Sequence, residues 1–137
     1  MYSARQGHDD VVGALLNAGA DVNARNSDDS TALIYAAREG HAVVVRLLLD
    51  ADADVRVQNT SGRTALMAAA RKGHARVVRV LVESWVNINA QDEAGKTALM
   101  LAADGGEPEK LQTLLDSGAD VNAKDGAGKT ALMYAAR

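Results

Sequence analysis

Apolar residues in this chain are spaced as they are on pairs of short amphipathic helices. After Thr31, the residues Leu33, Ala36 and Ala37 follow at the i, i+3, i+4 spacing of one helical face. Thr31 offers a hydroxyl to cap the start of this helix, and Gly40 offers a left-handed residue to end it. The next stretch predicts a second helix, whose apolar face consists of Val44, Val45, Leu48 and Leu49.

The pattern returns every 33 residues along the whole chain. The tripeptide Thr-Ala-Leu begins at Thr31, Thr64, Thr97 and Thr130. Gly-His occurs at Gly7, Gly40 and Gly73, and Gly106-Glu107 stands at the next step. Between the helix pairs, Asn, Asp and Gly predict turns. Helices this short are marginal alone, since an isolated helix needs about 12–15 residues. The units must therefore stack on one another, which predicts an all-α solenoid.

The repeated unit resembles the ankyrin repeat. The resemblance rests on the 33-residue period, the Thr-x-Leu and Gly-His motifs, the Val-Val and Leu-Leu second helix, and Gly-Ala-Asp-Val-Asn-Ala at 19–24 and 118–123. It covers the whole chain. It implies helix-turn-helix units joined by β-hairpin-like turns, and a function in binding other proteins through the turn tips and the concave edge of the first helices.

Three departures from the ankyrin pattern are present. The Pro and His of its Thr-Pro-Leu-His motif are replaced by Ala and by apolar residues, namely Ala32, Ile34, Ala65, Met67, Ala98, Met100, Ala131 and Met133. Asp52 and Trp85 replace the glycine after the second helix, and Trp suits a left-handed conformation poorly. Lys110 takes a position filled by Val11, Val44 and Val77 elsewhere. We therefore expect the fourth unit to be the least stable.

The period divides the single domain, 1–137, into five units. Three complete units, 26–58, 59–91 and 92–124, lie between partial units at 1–25 and 125–137. Neither end has the polar capping repeat that solenoids use for solubility. One interpretation is a segment of a longer array. The alternative is that the ends are complementary, so that copies associate head to tail or exchange their ends.

Composition agrees with closely packed layers and excludes several classes of protein. Only 3% of the residues are aromatic, whereas alanine is abundant and recurs in pairs on the predicted first helices. The chain has no cysteine, which excludes disulfides and favours a reducing, cytoplasmic location. No apolar run approaches the roughly 20 residues that span a bilayer. The net charge of -3 gives no overall indication of nucleic-acid binding.

No catalytic or metal-binding motif emerges from the pattern. His8, His41 and His74 occupy equivalent positions, which in stacked helices lie about 8–10 Å apart, whereas zinc ligands converge within about 2 Å of one ion. We expect them to have a structural role near the start of each second helix. No phosphate-binding loop, nucleophile elbow or His-Glu-x-x-His motif is present. The sequence therefore predicts a non-enzymatic chain with no cofactor and no metal.

The candidate site is the surface that the resemblance assigns to partners. The partner-binding residues predicted on it are Arg5, Arg38, Glu39, Arg63, Arg71, Lys72, Lys96, Asp104 and Lys129. Cations outnumber carboxylates on this surface, and a groove of like charges attracts an oppositely charged partner. We therefore expect an acidic or phosphorylated protein segment, with Arg38 and Arg71 as the central contacts. The alternative is that these charges only keep the surface soluble. Nucleic acid is disfavoured because the surface lacks aromatic stacking platforms.

Two aromatic features remain. Tyr2, Tyr35 and Tyr134 share one column of the first helix, where packing between adjacent units is expected rather than a ligand-binding ladder. Trp85 has two interpretations, an exposed binding residue or a side chain that folds back over the turn at Val86 and Asn87. The second is favoured.

Three functions follow from these patterns. The first is a non-catalytic scaffold for protein–protein interaction. The second is a self-assembling or engineered array, suggested by the open ends and the regular period. The third is the targeting segment of a larger enzyme.

Overall fold

The chain folds as an all-α solenoid, as the periodicity predicts. A computed structural model describes residues 7–137, and in that range eight helices and no strand are assigned. The helices are α1 (Asp9–Asn17), α2 (Ala32–Glu39), α3 (Ala42–Asp50), α4 (Ala65–Lys72), α5 (Ala75–Val82), α6 (Ala98–Gly105), α7 (Pro108–Asp116) and α8 (Ala131–Ala135). None of the helices in residues 7–137 has the length and apolarity that crossing a bilayer requires.

The first helix of each complete unit begins and ends at the predicted residues. Thr31, Thr64 and Thr97 precede α2, α4 and α6, and each Oγ1 accepts a hydrogen bond from the backbone N–H three residues on. At the other end, Gly40, Gly73 and Gly106 adopt φ of 80°, 80° and 74°. This left-handed region is open to glycine at no steric cost, so the helix ends there.

Stacking places the first helices in one row and the second helices in another. Within the described chain, α2, α4, α6 and α8 pack in sequence, as do α1, α3, α5 and α7. The alanine pairs of the first row, Ala36-Ala37, Ala69-Ala70 and Ala102-Ala103, are all buried. Side chains this small let neighbouring helices approach closely. Valine and leucine of the second row, such as Val44, Val77 and Leu81, complete the core.

The turns between units also form a continuous row. Each turn closes like a hairpin, with the N–H of Asn59, for example, donating to the carbonyl of Arg63 at 3.0 Å. Adjacent turns are joined by a backbone hydrogen bond from Thr60 to Asp28, from Glu93 to Ser61 and from Gly126 to Ala94, at 2.9, 3.1 and 2.9 Å. The turn tips are therefore held at fixed positions relative to one another.

A second set of links joins the segments that follow the second helices. Asn23 donates from Nδ2 to the Asp52 carbonyl at 3.3 Å and accepts from the Asp54 N–H at 2.7 Å. Asn89 makes the same pair of contacts with Gly118 and Asp120. At the step between these two, Arg56 replaces the asparagine. Its guanidinium instead pairs with Asp54 in its own unit, at 3.0 Å.

Trp85 corrects one sequence-based expectation. Like Asp52, it adopts a left-handed conformation where other units have glycine, with φ of 59°. Its side chain does not fold back over the turn at Val86 and Asn87, because Trp85 is 97% exposed. The favoured interpretation of a structural tryptophan is wrong.

Lys110 lies in the core position that the repeat predicts. It is only 1% exposed, and its Nζ lies 3.8 Å from Glu107 Oε2. Glu107 stands where the other units have histidine. The fourth unit therefore replaces a histidine and a valine by a carboxylate and an ammonium group, which keeps the buried charge partnered.

Candidate functional site

Four of the predicted site residues converge on one indentation of the surface. This cationic notch lies between the second and third units, where α2, α4 and one turn meet. It is lined by Ile34, Arg38, Asn59, Arg63, Ala68, Arg71 and Lys72. The guanidinium and ammonium groups project from three elements, yet no carboxylate is among the lining residues. The position of the notch, at the turn side of the first helices, is the one that the sequence predicts for partner binding.

Three of these cations have few internal partners. Arg63 Nε is buried without a hydrogen bond, and its nearest carboxylate oxygen in the ion pairs of the described chain is Asp92 Oδ2 at 4.0 Å. Arg71 and Lys72 are exposed, and no ion pair of either is found among residues 7–137. Charged groups without internal partners remain available to a ligand, because binding would not first have to break an existing contact.

Arg38 is more constrained. Its guanidinium lies 4.7 Å from the centre of the Tyr35 ring and its Nε lies 3.5 Å from Glu39 Oε1. The guanidinium therefore makes a cation–π contact with the ring, and its planar fork still carries several N–H donors. Glu39, also a predicted site residue, therefore forms an ion pair with Arg38 and lies beside the notch.

Three other predicted residues, Lys96, Asp104 and Lys129, gather around Tyr134 at the last unit. The ammonium groups of Lys96 and Lys129 lie 5.2 and 5.9 Å from the Tyr134 ring centre, and the Arg137 guanidinium lies 5.2 Å away. Arg137 also donates to Asp104 Oδ1 at 2.9 Å. Three cations here face one aromatic ring and a paired carboxylate, so this Tyr134 cluster is largely satisfied from within.

Asp125 holds the Tyr134 hydroxyl in place. Tyr134 Oη donates to Asp125 Oδ2 at 2.6 Å, and this hydrogen bond, with smaller help from burial, raises the pKa of Tyr134 to about 12. The same bond, together with the backbone N–H groups of Lys129 and Ala127, holds the pKa of Asp125 below its usual value. Tyr35 is held in a related way, because Asn26 Nδ2 donates to its hydroxyl at 2.8 Å. Both hydroxyls therefore pair with the turn of their own unit.

His74 has the structural role that its position in the repeat predicts. His74 Nε2 lies 2.9 Å from the Arg38 carbonyl oxygen, at the end of the first helix of the preceding unit. A Cβ atom on Gly40 would lie 2.6 Å from His74 Nδ1, so the ring fits only against glycine. Among residues 7–137, His, Asp and Glu form no group of three that could hold a metal ion.

The comparison with known families decides what kind of chain this is. A family model described as ankyrin repeats matches in three copies, over residues 1–92, 47–125 and 84–137. The chain belongs to the ankyrin-repeat family. A search of curated proteins found no match. Ankyrin repeats are in general non-catalytic modules that bind other proteins.

The structure groups the predicted site residues of the ankyrin domain into two clusters, which the sequence did not separate. Arg38, Arg63, Arg71 and Lys72 share the cationic notch, whereas Lys96, Asp104 and Lys129 belong to the Tyr134 cluster. Arg5 lies outside the described residues. Sequence reasoning missed Asn59 and Ala68, which also line the notch. The signal was present, since Ala68 interrupts the column that carries Tyr35 and Tyr134.

Proposed function

We propose that this ankyrin domain is a scaffold that binds a protein partner through its turn tips and the exposed edge of its first helices. The partner presents an acidic or phosphorylated segment to the cationic notch. One observation carries the proposal: Arg38, Arg63, Arg71 and Lys72 line one indentation that no carboxylate lines. Like charges brought together in this way are costly unless an anion offsets them, which favours a binding role over general solubility.

The rigidity of the surface supports the same function. Backbone hydrogen bonds join each turn to the next, and Gln58 adds a side-chain link by donating to the carbonyls of Gly62 and Gln91 at 2.8 and 3.0 Å. Gln91 repeats the link with Gly95 and Lys124. A partner therefore meets a preorganised row of turns, and binding loses little conformational entropy.

An array of defined peptides tests the proposal. Acidic and phosphorylated peptides are expected to bind, whereas neutral and basic peptides are not. The affinity of the bound peptides should fall as salt is added, because salt screens charge interactions. The double substitution Arg38→Glu and Arg71→Glu is expected to reduce affinity at least tenfold. The matched control, Arg46→Glu with Arg76→Glu, makes the same change in charge on exposed residues of α3 and α5. Equal loss in both double variants would reject the notch as the binding surface.

A second candidate function is end-to-end association of two copies of the 137-residue chain. It is supported by Leu132, which is 77% exposed, whereas its equivalents Leu33, Leu66 and Leu99 are buried by a neighbouring unit. Beside it lies an apolar groove of about 360 Å³, lined in part by Leu111 and Leu115. At the other end of the described chain Leu15 is half exposed, and its equivalents are buried.

Light scattering over a range of concentrations tests the second candidate. We expect the mass to rise with concentration, and Leu132→Lys to return the chain to a monomer. A monomeric mass at the highest concentration would reject the idea.

A further inference from the structure

The equivalent positions of the units show why the cationic notch exists. In the second unit the amide of Asn26 donates to the Tyr35 hydroxyl, and in the last unit the Tyr134 hydroxyl donates to Asp125. The third unit keeps the turn residue, Asn59, but has Ala68 in place of the tyrosine. The space that a phenol ring would occupy is therefore empty, and Asn59 has no tyrosine hydroxyl to which it can donate a hydrogen bond.

Asn59 consequently has an unused donor. Its Oδ1 accepts from the backbone N–H groups of Ser61 and Arg63, both at 3.0 Å. Its Nδ2 makes no hydrogen bond with any part of the chain that the structure describes. The notch beside it measures about 50 Å³. A single water needs roughly 10–15 Å³ of such space, so a small oxyanion fits.

The charge around the notch suits a doubly charged anion. Four cations line it, and the carboxylates paired with them in the described chain are Glu39, beside Arg38, and Asp92, at 4.0 Å from Arg63. Two positive charges are therefore left in excess. The donors comprise the side-chain amide of Asn59 and the cationic side chains of Arg38, Arg63, Arg71 and Lys72.

The other steps of the solenoid lack this combination. At the next step Asp92, Asp104 and Gly105 stand in place of Asn59, Arg71 and Lys72, which removes two cations and adds two carboxylates. At the last step Tyr134 fills the space, and Arg137 pairs with Asp104. Among the steps in the described chain, the one between the second and third units alone joins an empty tyrosine position, a neutral turn residue and four cations.

We propose that the cationic notch is a site for the phosphoryl group of a phosphomonoester. The proposal deepens the proposed function and rests on it in one respect, that the phosphoryl group is carried by a segment of the protein partner. A phosphomonoester brings a charge of about -1.5 to -2 and three strong acceptor oxygens. A carboxylate brings one charge and two oxygens, and so leaves donors of the notch without a partner. Arginine forks match the oxygens of a phosphoryl group in pairs.

Small anions test the notch independently of any partner. Methyl phosphate, dimethyl phosphate and acetate are titrated at neutral pH into the ¹⁵N-labelled chain, and the side-chain N–H signals of Asn59 and Arg63 are followed by NMR. Methyl phosphate should shift both signals to saturation. Dimethyl phosphate and acetate carry a single charge, and each should bind at least tenfold more weakly.

Three variants sharpen the test. Ala68→Tyr restores the residue found at Tyr35 and Tyr134, fills the notch without changing any charge, and should reduce affinity for methyl phosphate at least tenfold. Arg71→Gln should cause a similar loss, and it keeps the test decisive if Ala68→Tyr does not fold. Arg46→Gln removes a charge from an exposed residue of α3 and should change affinity less than twofold.

The possible results separate this inference from the proposed function. Equal binding of acetate and methyl phosphate, or unchanged binding by the Ala68→Tyr and Arg71→Gln variants, overturns the phosphoryl site. If glutamate-rich peptides bind the array while methyl phosphate does not bind the notch, the phosphoryl site fails and the proposed function stands. Methyl phosphate binding without any peptide binding retains the notch as a phosphate site and overturns the proposed function.

Discussion

At the scale of single residues, the Tyr134 and Asp125 pair links the last turn to its helix through a titratable contact. The hydrogen bond raises the pKa of Tyr134 to about 12, whereas an unfolded chain ionises tyrosine near pH 10. The stability it provides is therefore complete below about pH 10 and is lost as the pH rises through about 12. The pKa of Asp125 is lowered in the folded chain, so its hydrogen bonds stabilise the fold at pH values above the usual pKa of an aspartate. This contribution is lost as the pH falls through the lowered pKa of Asp125.

An absorbance titration of tyrosinate checks the Tyr134 value. One tyrosine should ionise near pH 12, and Tyr134→Phe should remove that step. Asp125→Asn should move it toward about pH 10, because the carboxylate is the main cause of the shift. An unchanged titration of the Asp125→Asn variant would show that another group holds Tyr134.

Trp85 is expected to weaken the fold at its position. A left-handed conformation costs a non-glycine residue about 1–2 kcal/mol, and an exposed side chain returns nothing by packing. Trp85→Gly relieves this strain but also raises the conformational entropy of the unfolded chain, which lowers stability by about 0.4–1 kcal/mol. Urea denaturation should therefore show a net stabilisation of about 0.5–1 kcal/mol.

Asp52→Gly is the control for Trp85→Gly. Asp52 has a similar φ of 66°, but aspartate tolerates this region better than tryptophan, so the gain should be smaller. A loss of stability on Trp85→Gly would mean that the indole makes a stabilising contact.

At the scale of the elements, Arg56 marks a missing link between the second and third units. The asparagines at Asn23 and Asn89 each bridge two units, by contacts with residues 29 and 31 positions further on. Arg56→Asn would place the same side chain opposite the Trp85 carbonyl and the Asn87 N–H. Each hydrogen bond contributes about 0.5–1.5 kcal/mol, and the exposed pair with Asp54 that is lost contributes little.

Chemical denaturation should show Arg56→Asn to be about 1 kcal/mol more stable than the original chain. Arg56→Gln removes the same charge with a side chain one methylene longer, and should give no such gain. Equal stabilisation by both variants would attribute the effect to charge and not to the bridge.

The elements were also the part of the molecule that the sequence predicted best. The first helix of the second unit begins after the capping residue Thr31 and ends at Gly40, and each unit repeats this local chemistry. The positions of the helices and their stacking could therefore be predicted from the sequence. The notch could be predicted only in outline. Arg38 and Arg71 were placed on this surface by the ankyrin resemblance, but the unused amide of Asn59 depends on a contact that Ala68 does not make. The prediction that the Trp85 side chain folds back over the turn was wrong, because the exposure of a side chain depends on the whole surface around it.

At the scale of the whole molecule, a solenoid is stabilised by contacts between nearest neighbours, so its stability should vary along the array. The backbone N–H groups of Ala68 and Tyr134 occupy equivalent positions. They donate to the backbone carbonyl oxygens of Thr64 and Thr130 at 3.1 and 3.3 Å. Helix α4 packs between α2 and α6, whereas α8 packs against α6 alone among the first helices of the described chain. The same hydrogen bond therefore lies in the middle of the row and at its edge.

Native-state hydrogen exchange measures this difference in the 137-residue chain. After correction for intrinsic rates, the Tyr134 amide should exchange at least tenfold faster than that of Ala68, a difference in opening free energy of about 1.4 kcal/mol or more. The Leu101 amide, which donates to Thr97 at 3.2 Å in the interior helix α6, should behave like Ala68. Equal protection of all three amides would mean that the array opens as one cooperative unit, because no local opening would then precede global unfolding.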